Sequence, residues 1–244
     1  MRKFGLIGYP LSHSFSQRYF TEKFEKEGIE DCAYSAYPLP DISDLTALLG
    51  DPELCGLNVT IPYKEQVLPF LHFRNDIVRR INACNCIKIT DGKLHGYNTD
   101  VIGFEASLVK KLRPDHDRAL ILGTGGASKA VEYVLQQRGI GYVFVTRRPR
   151  PHTTDVDYGQ VDAALVRDHT LIINTTPLGM SPNIAECPPL PYAAITPRHY
   201  LYDLVYNPER TLFLQKGAEQ GAVVENGYEM LILQAEESWR IWRD

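Results

Sequence analysis

The stretch Leu120-Ile121-Leu122-Gly123-Thr124-Gly125-Gly126-Ala127-Ser128 limits what this chain can fold into more than any other. Apolar residues run as a buried strand into a glycine turn, and Ala127, Ala130, Val131, Val134 and Leu135 then recur at helical spacing. A strand that passes through glycines straight into a helix opens a βα unit, the building block of α/β folds. Glycines permit the tight turn and let a pyrophosphate approach the backbone, while the helix start offers unpaired N–H groups and a favourable dipole. A glycine-rich βα turn with no ligand has the same local pattern; the strand-to-helix context favours a dinucleotide.

The same alternation runs through the rest of the chain. Strands are expected at Phe4–Gly8, Ala33–Pro38, Gly56–Thr60 and Cys84–Ile89, with helices at Phe15–Glu27, Ile42–Leu49 and Gln66–Leu71 between them. A helix over Val101–Leu112 stops before Pro114, and a second series begins with strands at Ala119–Leu122, Tyr142–Thr146, Leu171–Asn174, Leu201–Val205 and Ala222–Val224. Pro149–Gly159 is rich in proline, threonine and charge and is expected to be a loop; Tyr228–Trp242 closes the chain as a helix. Strands alternating with helices imply α/β domains with largely parallel sheets. The break near residues 100–115 implies two of them. The second is long enough for one nucleotide-binding module. The last helix has no partner strand of its own and is assigned to the first domain.

Composition narrows the function. The 244 residues are 44% hydrophobic and 23% charged, as in soluble globular proteins. A net charge of −4, from 26 basic and 30 acidic residues, argues against a general binder of nucleic acid or membrane surfaces. The chain starts at Met1 with no cationic, apolar leader, and no apolar run reaches membrane-spanning length. The five cysteines are an odd number, which fits free thiols in a reducing cytoplasm. Cys84 and Cys86 form a lone C-x-C with no second pair or matching histidines, so no metal site is expected.

Several polar groups stand where a ligand would be held. The strand Val143-Phe144-Val145-Thr146 ends in Arg147-Arg148, with Arg150 close behind, where an NAD site would carry an acid for the ribose hydroxyls. Arginine there suits a 2′-phosphate, and hence NADP. Ser12, His13 and Ser14 follow the first strand; hydroxyls and free N–H groups at a helix start can hold a carboxylate, although Ser14-x-x-Gln17 is equally a capping box. Asn58 and Thr60 share one strand face, and Lys64 just beyond is a general acid or base in a cleft and an ordinary first-turn lysine on a surface. Asp100 either caps the helix at Val101 or orients Lys64. In the final helix Gln234 falls on the apolar stripe of Leu231, Ala235, Ser238, Trp239 and Trp242, so its amide needs a partner.

Taken together and in order, these segments resemble the shikimate dehydrogenase family. The resemblance spans nearly the whole chain. It rests on Ser12-x-Ser14, Asn58-Val59-Thr60-Ile61-Pro62-Tyr63-Lys64, Ala83-Cys84-Asn85, Asn98-Thr99-Asp100-Val101-Ile102-Gly103, Gly123-Thr124-Gly125-Gly126-Ala127, the arginine loop, Asn174-Thr175-Thr176-Pro177-Leu178-Gly179-Met180, and Gly227 through Met230-Leu231 to Gln234. Each motif is weak alone; eight in the family's order are hard to explain otherwise.

The resemblance implies two α/β domains across a cleft: an N-terminal substrate domain, residues 1–100 plus 227–244, and a Rossmann-like NADP-binding domain, residues 101–226. It implies NADPH-dependent, reversible reduction of 3-dehydroshikimate to shikimate on the route to chorismate and the aromatic amino acids, in the cytoplasm, by a monomer or homodimer that binds neither nucleic acid nor membrane. Lys64 and Asp100 would be the catalytic pair. Ser12 and Ser14 would hold the substrate carboxylate, and Asn58, Thr60, Lys64, Asn85, Asp100 and Gln234 its hydroxyls. Leu204 and Tyr206 would border nicotinamide and substrate, with Asp76 and Gly227 near the nicotinamide end. Gly123, Thr124, Gly125, Gly126 and Ala127 would carry the pyrophosphate, and Thr146, Arg147 and Arg148 the 2′-phosphate.

The chain departs from the family pattern in places. Thr124 replaces the usual alanine, Gln17 a proline and Cys86 a threonine; Thr146-Arg147-Arg148 replaces Asn-Arg-Thr; the loop after it is short; and Tyr228-Glu229 is atypical. None of these touches Lys64 or Asp100. An NAD-preferring quinate/shikimate dehydrogenase is the nearest alternative, opposed by Arg147 and Arg148. A non-catalytic sensor on the same fold is another, opposed by the joint presence of Lys64, Asp100 and the glycine turn.

Guanidinium groups at a 2′-phosphate make charge-assisted hydrogen bonds of about 1.5–3 kcal/mol each, reduced by solvent and salt. The expected outcome is at least about a tenfold preference for NADP over NAD at low salt, since each 1.4 kcal/mol is tenfold in affinity. Replacing both arginines by uncharged residues should erase most of that preference in steady-state kcat/KM without lowering turnover at saturating cofactor.

Overall fold

The computed structural model describes residues 1–11, 15–151 and 153–244. The chain divides into two compact units, Met1–Thr99 with Ala235–Asp244, and Asp100–Gln234. The first holds β1 (Arg2–Gly8), α1 (Phe15–Glu27), β2 (Cys32–Pro38), α2 (Leu45–Leu48), β3 (Leu54–Val59), α3 (Tyr63–Gln66), β4 (Phe73–Arg74), α4 (Asp76–Ile81), β5 (Cys86–Thr90) and β6 (Lys93–Tyr97). The second holds α5 (Asp100–Leu108), β7 (Arg118–Leu122), α6 (Gly126–Gln137), β8 (Gly141–Thr146), β9 (Val156–Asp157), α7 (Ala163–Asp168), β10 (Leu171–Asn174), β11 (Tyr200–Asp203), α8 (Leu212–Glu219), β12 (Val223–Glu225) and the first part of α9 (Tyr228–Arg243), whose remainder returns to the first unit.

The first sheet runs β2-β1-β3-β5-β6-β4. β1 pairs parallel with both β2 and β3, and β4 with β6, as expected of an α/β layer. β5 departs from that run and is antiparallel to β3 and β6. The cause is local. Asp91 and Gly92, at φ 51° and 70°, form the two-residue connection between β5 and β6, and an Asp-Gly pair at positive φ is what a tight hairpin needs.

The second sheet runs β12-β11-β10-β7-β8-β9 with every ladder parallel. Its inner strands are buried on both faces, so Leu120-Ile121-Leu122 and Leu171-Ile172-Ile173 are continuous apolar runs rather than alternating ones. From β7 the chain winds outward through β8 and β9, then crosses to β10 on the other side of β7. That reversal is a topological switch point, where ligands of open α/β sheets collect at the strands' carboxyl ends. The glycine turn lies there. The expected helix at Val101–Leu112 ends earlier, at Leu108. α7 and α8 are short helices in a stretch where only strands stood out in the sequence. Among the described residues, no helix is long and apolar enough to cross a membrane.

The end of α9 is fixed to the first unit by aromatic packing. Trp242 stacks on Phe4 at 4.9 Å between centroids, and Trp239 meets the same ring edge-on at 5.5 Å. The Trp242 indole N–H donates to the Ile87 carbonyl at 2.9 Å, so the ring has no freedom to shift. Its face lies directly against Gly56 of β3, where any Cβ would overlap the indole. Gly56→Ala must therefore displace a buried, hydrogen-bonded tryptophan. Overpacking of this kind costs about 1–3 kcal/mol, and urea unfolding should show a midpoint lowered accordingly; an unchanged midpoint would mean that α9 does not bear on β3.

Candidate active site

In the first unit a buried polar chain joins residues far apart in sequence. The Tyr34 hydroxyl donates to Asn58 Oδ1 at 2.8 Å, and Asn58 Nδ2 donates to Ser238 Oγ at 2.9 Å. Ser238 Oγ lies 3.1 Å from Thr99 Oγ1, to which Asn85 Nδ2 donates at 3.0 Å. Asn85 Oδ1 in turn accepts the Thr99 backbone N–H at 2.6 Å. Tyr34, Asn58, Asn85, Thr99 and Ser238 are all buried, where an unpaired polar group would be costly, and this chain satisfies them mutually. Asn58 thus turns its amide into protein contacts.

The backbone ties the neighbouring candidates to the same place. Val59 N–H donates to the Asn85 carbonyl at 2.9 Å, Cys84 N–H to the Lys64 carbonyl at 2.7 Å, and Asn98 Nδ2 to the Ala83 carbonyl at 3.1 Å. Thr60, at the carboxyl end of β3, and Lys64, in α3 one turn later, are half-buried beside buried Asn85. Burial pushes the Cys86 thiol well above the usual range, so this cysteine is inert packing. Asp76 is the exception among the candidates. It stands in the first turn of α4, behind the Asn75 cap, with its side chain 94% exposed. Ser12, His13 and Ser14 lie outside the described residues.

In the second unit the candidates gather at the carboxyl edge of the sheet. Gly123 has φ 97°, and a Cβ there would meet Thr176 Cγ2 at 2.8 Å, so both conformation and space demand glycine. Gly125 is the cap residue of the twelve-residue α6, with extended backbone, no side-chain hydrogen bond to the helix start, and open space where a Cβ would sit. A phosphate fits this bare helix start, whose N–H groups and dipole favour an anion. Thr124 and Gly125 are exposed and Gly126 and Ala127 half-buried. One strand along, at the end of β8, Thr146 is buried and accepts the Arg148 N–H through Oγ1 at 3.4 Å, while Arg147 and Arg148 are exposed. Arg150 is held by Asp155 at 2.7 Å.

At the other side of the edge, Leu204 and Gly227 touch through their backbones. A Cβ on Gly227 would overlap the Leu204 carbonyl, and Gly227 N–H donates to the Val205 carbonyl at 3.2 Å. Tyr206 follows, half-buried. Asp100, the first residue of α5, is buried; so is Gln234, whose Nε2 donates to the Leu231 carbonyl at 2.9 Å. Among the described residues no cluster of three or more His, Cys, Asp or Glu could hold a metal.

Comparison with known proteins gives this arrangement its family. A family model described as the shikimate dehydrogenase substrate binding domain matches residues 6–87. The shikimate dehydrogenase (NADP(+)) of Caldicellulosiruptor saccharolyticus is 37% identical over 262 aligned positions, covering 100% of this chain and 93% of that protein. The chain belongs to the shikimate dehydrogenase family. Among solved structures, a chorismate mutase/shikimate 5-dehydrogenase fusion protein from Clostridium acetobutylicum superposes with a TM-score of 0.90 at 33% identity, covering 100% of this chain and 92% of that one. A shikimate 5-dehydrogenase of Thermus thermophilus, solved in complex with NADP(H) and shikimate, gives 0.86 at 30% identity, covering 99% and 93%.

One residue with a part in this shikimate dehydrogenase fold was not singled out from its sequence. Asp203, at the end of β11, is fully buried. Its Oδ1 accepts from Asn174 Nδ2 at 2.9 Å and Val205 N–H at 3.0 Å, and its Oδ2 accepts from Thr211 Oγ1 at 2.6 Å. Asn174 Oδ1 then accepts the N–H and hydroxyl of Thr176, the residue against Gly123. Asp203 thus joins the ends of β10 and β11 to the glycine turn. The one sequence signal was an acid closing an apolar strand, directly before Leu204.

Burial raises the Asp203 carboxyl to about 6, against the pull of its three donors. The sign follows from proton counting: between about pH 4 and pH 6 the unfolded chain has released this proton and the folded one has kept it, so stability falls as pH rises through that window and levels off above it. The group accounts for a fall of about 3 kcal/mol, at 1.36 kcal/mol per pH unit. Asp203→Asn should lose that slope, so urea unfolding at pH 4, 5, 6 and 7 should show the difference between the two proteins changing across the window; parallel profiles would refute the assignment.

Proposed function

We propose that this chain catalyses the reversible NADPH-dependent reduction of 3-dehydroshikimate to shikimate, as a cytoplasmic oxidoreductase. The observation that carries the reading is the carboxyl edge of the second sheet: a glycine turn at the switch point opening onto a bare helix start, beside a strand that ends in arginines rather than an acid. Support comes from whole-length similarity to enzymes named for that reaction. In this reading residues 101–226 hold NADP, with Gly123–Ala127 at the pyrophosphate and Thr146, Arg147 and Arg148 at the 2′-phosphate. Residues 1–100 and 227–244 hold the substrate. Leu204, Tyr206, Gly227 and Asp76 serve the nicotinamide end.

NADPH, when bound, supplies the hydride that reduces the ring ketone. As the ketone becomes an alcohol its oxygen gains negative charge. Lys64, as an ammonium, stabilises that charge and donates a proton to the oxygen from Nζ. Asp100 accepts a hydrogen bond from the substrate hydroxyl beside the reacting carbon. Ser12 and Ser14 hold the carboxylate; Thr60, Asn85 and Gln234 bind hydroxyls. Asn58 supports Asn85 through Ser238 and Thr99, which keeps the Asn85 amide in one orientation.

A group that transfers a proton in the transition state is worth about 10²–10⁴ in rate. Lys64→Ala should lower kcat by that order while KM for 3-dehydroshikimate moves little. The assay is loss of NADPH absorbance with 3-dehydroshikimate, run beside NADH and beside quinate oxidation. A near-normal kcat with a raised KM would make Lys64 a binding residue, and faster turnover with NADH and quinate would favour the NAD-preferring alternative.

A further inference from the structure

The loop after β8 carries three arginines, and they are not equivalent. Arg150 is engaged in a fork-to-fork pair: its Nε donates to Asp155 Oδ2 at 2.7 Å and its Nη2 to Asp155 Oδ1 at 2.9 Å. The Arg150 backbone N–H also reaches Asp155 Oδ2, at 3.2 Å. The guanidinium carbon lies 4.9 Å from the centroid of the buried Phe144 ring, a cation–π distance. Asp155 sits on a surface loop, yet its side chain is only 2% exposed. Thr153 closes the same turn, donating through Oγ1 to the Arg150 carbonyl at 2.9 Å and accepting the Asp155 N–H at 3.3 Å.

These contacts join the loop to the glycine-turn helix. Phe144 meets Tyr142 edge-on at 5.6 Å. The Tyr142 hydroxyl donates to Glu132 at 2.7 Å and accepts from Gln136 at 2.7 Å, both on α6. One residue beyond Asp155, Val156 pairs with Val145 as β9. The loop is therefore anchored at its start by Thr146, at its end by β9, and between them by the Arg150–Asp155 pair lying over Phe144. The arginine holds the Asp155 carboxyl below the usual carboxylate range, so the pair is a neutral unit in which a potentially repulsive acid is cancelled.

We propose that Arg150 and Asp155 are positioning residues for cofactor choice: their clasp holds the loop backbone so that Arg147 and Arg148 meet a 2′-phosphate in a fixed frame, and it masks the acid that would repel that phosphate. This rests on the NADP reading above. It differs from one in which Arg150 itself binds the phosphate, because there Asp155 is a competitor and its removal helps.

The test is the ratio of kcat/KM for NADP+ to that for NAD+, at saturating shikimate, in the unmodified protein, Asp155→Asn, Arg150→Met and the double variant. A loosened loop costs the equivalent of about one ordinary hydrogen bond, so each single variant should lower the ratio roughly three- to tenfold. The loss should fall on KM for NADP+, with kcat at saturating NADP+ and KM for NAD+ both within about twofold, because the chemistry is untouched. The double variant should be no worse than the worse single one, as expected of two residues acting as a unit. A ratio raised or unchanged by Asp155→Asn overturns the clasp, as does a KM raised equally for both cofactors. A ratio near one in the unmodified protein overturns the cofactor reading and the clasp with it, whereas a high ratio that Asp155→Asn leaves alone overturns the clasp only.

Discussion

Every ladder of the second sheet is parallel, and much of what this chain can do follows from that constraint. Parallel strands bring all their carboxyl ends to one edge, so the turns after β7, β8, β10 and β11 become neighbours although they lie far apart in sequence. The edge is not held by those turns alone. Asp203 accepts from Asn174 and Val205, and Asn174 accepts from Thr176, which presses on Gly123. A buried carboxylate of raised pKa is a costly group, and here it serves to hold three loops in a single arrangement. Gly227 and Gly123 are glycines for the matching reason: backbone or side chain from another turn occupies the space of their Cβ.

The first unit uses a different device. Its mixed sheet supplies the apolar support, and a chain of hydroxyls and amides from Tyr34 to Asn85 runs through the interior. Each member satisfies the next, so no amide can rotate without leaving a buried partner unpaired. Rigidity of this kind fixes the orientation of the Asn58 and Asn85 amides where β3 and β5 pair. α9 completes the chain through Ser238 while its tryptophans pack against Phe4. The same helix thereby contributes to both the core and the polar network.

Much of the architecture was legible in the residues. α1 has the bounds Phe15–Glu27 that its sequence implied, and β10 the bounds Leu171–Asn174, because strong apolar patterns leave little choice. The β5–β6 hairpin was missed although Asp91-Gly92 announced it, because Lys93–Tyr97 mixes charge and glycine with few apolar residues. α4, α7 and α8 escaped notice because a helix of six to eight residues spans barely two turns and shows little period. Their caps were there to be read: Asn75, Asp162 and Thr211 each accept an N–H three residues on.

By itself the sequence determined the α/β class, the glycine turn with its helix, the arginines in place of an acid directly at the end of β8, and the short polar motifs that mark the family. These are local properties, set by periodicity, by which residues tolerate a tight turn, and by charge within a few positions. Tertiary structure alone decided the partners. Asn58 meets Ser238 across 180 positions, and Asp203 meets Asn174 across 29. Arg150 turns to Asp155 five residues on, although sequence order alone aligned it with Arg147 and Arg148. Periodicity shows which face of an element is buried; it does not show what that face will meet, because strand order and register bring distant residues within hydrogen-bonding range.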